Sequence, residues 1–181
     1  MDEEVQRKVL WIIGAIIIGI TGVLAALIGP NMILYFLYEH NQSNVFLIEV
    51  PVIANLLLGF GTLAFVLFCI LMVFERKIIK AAGILMLVIG LSLSYVSFNL
   101  YNMFSGDEIT IKKPLDKEVF SWSEIENADF IYDETTNETE IAFQLPDEEK
   151  KFILSQKHAG DVGTMKVLLK RNDVPYEEKE A

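Results

Sequence analysis

Three long stretches of the chain carry no charged side chain. They are Val9–Gly29, Pro51–Phe74 and Ala81–Tyr101, which contain 21, 24 and 21 residues. A helix rises about 1.5 Å per residue, so 21 residues reach about 31 Å, close to the thickness of a hydrocarbon core of about 30 Å. Helices buried in soluble proteins rarely run this far without a charge. The pattern predicts a membrane α-helical region with three spans, 9–29, 51–74 and 81–101, within residues 1–104.

The connection between the first two spans has a pattern of its own. Met32–Tyr38 and Val45–Ile48 are apolar and flank the polar turn Glu39–Asn44, while Pro30 and Pro51 mark the ends of the spans. Two interpretations stay open. Either the helices extend beyond the lipid as a longer hairpin that bends near the prolines, or the apolar pieces lie flat in the interface with their aromatic rings at headgroup level.

After the third span the period changes from helical to alternating. The alternation predicts strands near 108–113, 118–122, 127–134, 139–145 and 150–155, followed by a helix that Asp161 caps and Pro175 ends. Residues 105–181 therefore form a small α+β soluble domain, an antiparallel meander of about five strands with a C-terminal helix. Glu177–Ala181 is expected to fray. The predicted core of this domain consists of Trp122, Phe130, Phe143, Phe152 and Leu168.

Charge is segregated along the chain. The formal net charge is −10, yet 52% of the residues are hydrophobic and the mean hydropathy is +0.39. Residues 105–181 hold nineteen acids and ten bases, so this part carries −9 of the total. This distribution excludes a single soluble globule, a coiled coil, a disordered chain and a general nucleic-acid binder.

The positions of lysine and arginine predict an orientation in the cell membrane. The N-terminus and the short second turn hold five bases, Arg7, Lys8, Arg76, Lys77 and Lys80, whereas the region soon after span three holds Lys112, Lys113 and Lys117. Short loops rich in lysine and arginine stay in the cytoplasm. The N-terminus is therefore predicted to be cytoplasmic and the C-terminal domain extracytoplasmic.

Small residues on two spans are candidates for helix packing, because lipid supplies no hydrophobic force between helices. The candidates are Ala15, Gly19, Gly22, Ala26, Gly83, Gly90 and Ser94. They could form the seam of a homo-oligomer or of a complex with another protein. The alternative, in which the three helices pack on one another, is favoured because such pairs recur by chance in membrane helices.

The sequence offers no catalytic constellation, and we predict no catalytic, cofactor or metal site. Cys69 lies inside a span, where a thiol stays protonated, and His40 and His158 lie far apart in the sequence. The acidic side chains of the tail are interpreted as solubilising. The pairs Lys112–Lys113 and Lys150–Lys151 are interpreted as solvated strand edges, because an acidic domain is repelled by an anionic lipid surface.

The segment Phe120–Glu126, with the sequence Phe-Ser-Trp-Ser-Glu-Ile-Glu, joins two predicted strands, and its Ser123–Glu126 part fits a capping box. Together with the strands and helix that follow, it resembles small bacterial multi-pass membrane proteins that carry a pleckstrin-homology-like domain. The resemblance implies a fold with seven strands, where the pattern predicts five. It implies no ligand.

These observations predict a multi-pass membrane protein, not an enzyme, whose soluble domain is an interaction or sensor module that docks protein partners at the bilayer. The alternative is an accessory subunit of a transporter or membrane enzyme complex.

Overall fold

The structure is a computed structural model, in which residues 3–39, 44–133, 138–155 and 159–180 are described. The helices are α1 (Glu3–Glu39), α2 (Val52–Met72), α3 (Lys77–Phe98) and α4 (Ala159–Arg171), with a short 3₁₀ turn at Trp122–Glu124. The strands are β1 (Val45–Glu49), β2 (Tyr101–Ser105), β3 (Glu108–Lys113), β4 (Asp116–Ser121), β5 (Asn127–Asp133), β6 (Glu138–Gln144), β7 (Glu149–Ser155) and β8 (Tyr176–Glu180).

The first three helices are long and apolar enough to cross a membrane, which confirms the three predicted helices. Their most apolar windows are only 11%, 28% and 17% buried within the protein. Most of the leucine, isoleucine and phenylalanine side chains on these helices therefore point outward. Water would make such a surface very unfavourable, whereas hydrocarbon solvates it, so the composition indicates a membrane location.

Helix α1 bends at Gly29 and then continues to Glu39. Gly29 has φ 43° and ψ −156°, a left-handed conformation that glycine adopts at little cost, and Pro30 supplies no N–H to the preceding turn. The bend near the proline that one of the two interpretations expected is therefore present, and residues 32–38 are helical. Beyond the bend, the hydroxyl groups of Tyr38 and Tyr101 lie 2.5 Å apart and form a hydrogen bond.

Helix α2 packs against α1 through small residues on both helices. Gly22 lies directly on Thr62, and Gly59 faces the methyl group of Ala26. Near the opposite end, the rings of Trp11 and Phe68 meet edge to face with centroids 5.4 Å apart. The contacts pair early residues of α1 with late residues of α2, so the two helices are antiparallel.

Helix α3 packs against α2 in the same way. Gly90 approaches the backbone carbonyl of Gly61 so closely that an added Cβ atom would lie 3.1 Å from that oxygen. At the other end of the contact, the Ser97 hydroxyl donates a hydrogen bond of 2.8 Å to the carbonyl of Ala54. A helix carbonyl has a second lone pair, so this bond satisfies the buried serine without breaking the helix.

The strands form two four-stranded sheets, ordered β1-β2-β3-β4 and β7-β6-β5-β8. The expectation of a single five-stranded meander was wrong in three places. β1 comes from the connection between α1 and α2 and pairs antiparallel with β2, as in the pair Glu49 and Asn102. β2 begins at Tyr101, inside the predicted third span. β8 follows α4 and pairs parallel with β5, so residues 177–180 of the segment expected to fray form a strand.

The 3₁₀ turn is capped two residues earlier than the sequence indicated. The Ser121 backbone N–H donates a 2.8 Å hydrogen bond to the Glu124 carboxylate, and the Glu124 backbone N–H donates to the Ser121 side chain in return. The box thus runs from Ser121 to Glu124, rather than from Ser123 to Glu126. The physical reason is that the 3₁₀ turn starts at Trp122, so its N-cap is Ser121.

The predicted core residues Trp122, Phe130, Phe143, Phe152 and Leu168 all lie in one buried cluster, and none of them is more than 4% exposed. Phe143 contacts both Trp122 and Phe152, with ring centroids 6.1 Å and 5.3 Å apart. The Trp122 indole N–H donates a 2.9 Å hydrogen bond to the Ser105 carbonyl, so the largest core residue buries no unpaired donor.

The chain divides into two compact units, and neither is continuous in sequence. The helical unit comprises the residues up to Tyr38, Val50–Tyr101 and Lys112–Asp116. The sheet unit comprises Glu39–Glu49, Asn102–Ile111 and the residues from Lys117 onward. The predicted boundary between residues 104 and 105 falls inside β2, because β2 pairs with β1, which is distant in sequence.

The α1–α2 packing can be tested by adding one methyl group. In Gly22→Ala, the new Cβ would lie 2.9 Å from Thr62 Cβ, an atom that no side-chain rotation can move away. We expect a loss of about 1–3 kcal/mol in the free energy of unfolding in detergent, typical of overpacking. Gly59→Ala is the matched control, since its Cβ would sit at an ordinary 3.8 Å from Ala26. Equal stability of the two variants would contradict this packing.

Candidate functional site

The seven small residues predicted to pack helices are largely used inside the helical unit. Gly19, Gly22 and Ala26 face α2, while Gly83, Gly90 and Ser94 approach α2 from the other side. Ala15 is buried as well. The structure therefore places these small residues of α1 and α3 against the two sides of α2. This is the arrangement expected if the three helices pack on one another.

The described residues contain no group of three or more histidine, cysteine, aspartate or glutamate side chains that could hold a metal ion. Cys69 is buried in α2, beside Gly14. The remaining candidates for chemistry, His40 and His158, lie outside the described residues. Nothing in the described part of the chain assembles a nucleophile with a base.

One carboxyl group of the sheet unit lies in an unusual environment. Glu49, the last residue of β1, is partly buried, and the Asn102 side-chain amide donates it a 3.0 Å hydrogen bond. Burial raises the pKa of Glu49 to about 7; the Asn102 hydrogen bond opposes this rise and the negative charge of Asp161 adds to it. Glu49 therefore exchanges a proton near neutral pH.

Strand edges are the other places where the sheet unit could bind something, because an edge strand has unpaired backbone groups. The edges β4 and β7 are tied together, since Lys150 of β7 reaches Glu118 of β4 at 2.6 Å. The edge β1 lies beside α4, where the Arg171 guanidinium stacks on the Phe46 ring at 5.8 Å. The remaining edge is β8, which lies at the end of the described order β7-β6-β5-β8.

The β8 edge is anchored on its inner side. The Tyr176 ring packs edge to face on Phe130 at 5.7 Å, and Lys179 bonds Asp129 at 2.9 Å. Glu178 forms a 2.7 Å ion pair with Lys166 of α4. On the outer side, no described strand pairs with β8, and Glu177 is exposed. The result is an accessible acidic strand edge, which we take as the candidate site.

Sequence reasoning missed this site because β8 lacks the alternation of a half-buried strand. Of its residues Tyr176–Glu180, only Tyr176 is apolar. The available signal was the pair Val174 and Pro175. Val174 is buried in the core, and the Pro175 carbonyl accepts a 3.0 Å hydrogen bond from the Ala128 N–H, which starts the parallel pairing.

The environment of Glu49 predicts a pH-dependent stability. The pKa in the folded protein, about 7, lies above the ordinary value of 4.5, so the folded state binds the extra proton between these values and loses stability as the pH rises through them. Glu49→Gln removes this loss. We expect the variant to be more stable than wild type by on the order of 2 kcal/mol at pH 8 and equally stable near pH 4.

Thermal unfolding of the full chain in nanodiscs, followed across this pH range, measures the difference. Glu177→Gln, the same chemical change at an exposed position, is the control and should show no such pH-dependent gain. A Glu49→Gln curve parallel to that of wild type would refute the assignment.

No family model, no curated protein and no solved structure matches this chain. The candidate site is therefore interpreted from its own geometry. The resemblance to pleckstrin-homology-like domains stays a prediction.

Proposed function

We propose that this protein docks another protein at the membrane, through the β8 edge of its sheet unit. The observation that carries the proposal is that β8 lies at the end of the sheet order β7-β6-β5-β8 with its outer side unpaired in the described structure. An extended segment of a partner can add to such an edge as a further strand. Backbone hydrogen bonds then supply affinity, and side chains supply selectivity.

The chemistry of β8 favours a basic partner segment. Glu178 on this strand pairs with Lys166 and Glu177 lies 3.6 Å from Lys179, but the surrounding tail still carries a net charge of −9. Like charges placed opposite each other destabilise a strand pair, so two copies of β8 are poor partners for one another. An extended segment rich in lysine or arginine carries the opposite charge and is attracted toward the β8 edge.

The proposed orientation places this edge outside the cytoplasm. β1 lies in the connection between α1 and α2, and β2 follows α3. Because the two strands pair with each other, both must emerge on the same side of a bilayer. The opposite end of the bundle holds Arg7 and Lys8, which form long ion pairs of 3.9 Å and 3.8 Å with Glu75 in the second turn. The cluster of basic residues at this end favours the cytoplasm.

One observation favours the alternative, an accessory subunit of a transporter or membrane enzyme complex. A groove of about 640 Å³ runs between α1 and α2 and is lined by Gly22, Gly59 and Phe60. Small residues let a helix of a larger protein approach closely. In this case the partner contact lies within the bilayer, at the groove, and β8 stays unbound.

The orientation has a direct test in a Cys69→Ala background. Asp107→Cys places a thiol in the exposed turn between β2 and β3, and Glu75→Cys places one in the turn between α2 and α3 without removing a basic residue. We expect a membrane-impermeant maleimide to label Asp107→Cys in intact cells and Glu75→Cys only after permeabilisation. The reverse pattern contradicts the orientation, and labelling of both in intact cells contradicts three spans.

Docking is tested by photo-crosslinking of the full chain in its native membrane. A photoreactive side chain at Glu177 samples the β8 edge, and the same group at Lys151, exposed on β7 at the opposite edge of the sheet, is the control. We expect a heterologous adduct from position 177 only, which mass spectrometry should map to a basic extended segment. Glu178→Lys should lower its yield about fivefold, equivalent to roughly 1 kcal/mol.

The same experiment separates the alternative. A photoreactive group at Phe60 samples the groove, so an adduct from position 60 with none from 177 supports an accessory subunit and contradicts docking at β8. Identical adducts from 177 and 151 contradict docking at β8 too, because they show no preference for one edge.

A further inference from the structure

The turn between β3 and β4 exposes an apolar side chain to an unusual degree. We call Lys112–Lys117 the β3–β4 tip; its sequence is Lys-Lys-Pro-Leu-Asp-Lys. Leu115 is 97% exposed, the highest value among the large apolar side chains described for this chain, the lipid-facing helices included. A leucine at the end of a water-exposed hairpin buries no apolar surface when the chain folds, so its exposure calls for an explanation.

The path of the chain places the tip at the boundary of the helical unit. β2 starts at Tyr101, three residues after α3 ends at Phe98. The two-residue connection Gly106–Asp107 makes β2 and β3 antiparallel, and β3 has six residues where β2 has five. β3 therefore returns to the level at which β2 began.

The division into compact units agrees with this path. Lys112–Asp116 belongs to the unit formed by the three long helices, while the residues before and after it belong to the sheet unit. Most of the tip is thus grouped with helices that are long and apolar enough to cross a bilayer.

The charge of the tip differs in sign from that of the rest of the tail. Three of the ten bases of residues 105–181 lie in the tip beside a single acid, which gives a local charge of +2 within a tail of −9. Lys112 and Lys113 come directly before Pro114 and Leu115. Cations flanking an exposed apolar residue match the layered chemistry of a lipid interface, where anionic phosphate groups lie just outside the acyl chains.

We propose that the β3–β4 tip is a second membrane contact of this protein. Leu115 inserts at the boundary between headgroups and acyl chains, and the ammonium groups of Lys112 and Lys113 donate hydrogen bonds to lipid phosphate oxygens. The ligand is the phospholipid surface that surrounds the helices. This inference goes beyond docking at β8 and is independent of any protein partner.

The test measures whether position 115 lies in lipid. An environment-sensitive fluorophore is attached to Leu115→Cys in the full chain that also carries Cys69→Ala. The labelled protein is reconstituted in nanodiscs of phosphatidylcholine and phosphatidylglycerol. Some of the lipid carries a nitroxide quencher near the top of its acyl chain. We expect blue-shifted emission and strong quenching. Leu91→Cys, on the outward face of α3, is the positive control, and Val167→Cys, exposed on α4, is the negative control.

The outcomes are distinct. An unquenched fluorophore at 115 with a quenched one at 91 overturns the proposal while leaving the membrane helices and the β8 docking proposal in place. Lack of quenching at 91 as well would overturn the membrane placement itself. Quenching at 167 equal to that at 115 also counts against the tip, because it shows no selectivity for this turn.

The lysines are tested with the same probe. Lys112→Gln with Lys113→Gln should reduce the quenching at 115 in nanodiscs that contain phosphatidylglycerol, and should do so less in phosphatidylcholine alone. Lys151→Gln with Lys170→Gln makes the same change of charge at exposed positions elsewhere in the tail and is the matched control. Equal reductions in both double variants overturn the role of the lysines.

Discussion

The antiparallel pairing of β1 with β2 is the interaction on which the rest of the architecture depends. It joins a five-residue strand from the first interhelical connection to the first strand after the third helix. Without it, the sheet β1-β2-β3-β4 loses an edge strand, and Leu47 loses its place in the core. The same pairing joins the first connection to the tail. It also places at its end Glu49, whose pKa is raised by burial against the opposing hydrogen bond from Asn102.

The helical unit depends on a different physical rule. Because apolar side chains gain nothing from leaving lipid for protein, the three helices are held by close packing and a few polar contacts. Gly22 and Gly90 provide the close approach on the two sides of α2, and Ser97 supplies a buried hydrogen bond. Each of these residues is small, and a larger side chain would separate the helices. The large residues point outward, which is the reverse of a water-soluble bundle.

Sequence patterns predicted the parts of the structure that local chemistry determines. The uncharged stretches gave three helices, and the alternation in the tail gave the five strands β3 to β7 within a few residues. The missed strands β1, β2 and β8 all depend on partners distant in sequence. β1 is a short apolar run, β2 begins at the end of an uncharged stretch that was predicted to be a span, and β8 is mostly charged. The β8 edge could not be predicted, since it exists only because β5 offers a parallel neighbour.

The inference that an acidic domain avoids lipid headgroups treated the charge of the tail as one quantity. In physiological salt, charges interact over a Debye length of about 8 Å, so a surface responds mainly to the groups close to it. On the two proposals above, the tip of charge +2 meets an anionic surface and the β8 edge meets a cationic segment, and each responds to its own nearby charges. Segregation of charge within the tail, rather than its sum, determines what each surface of the tail can bind.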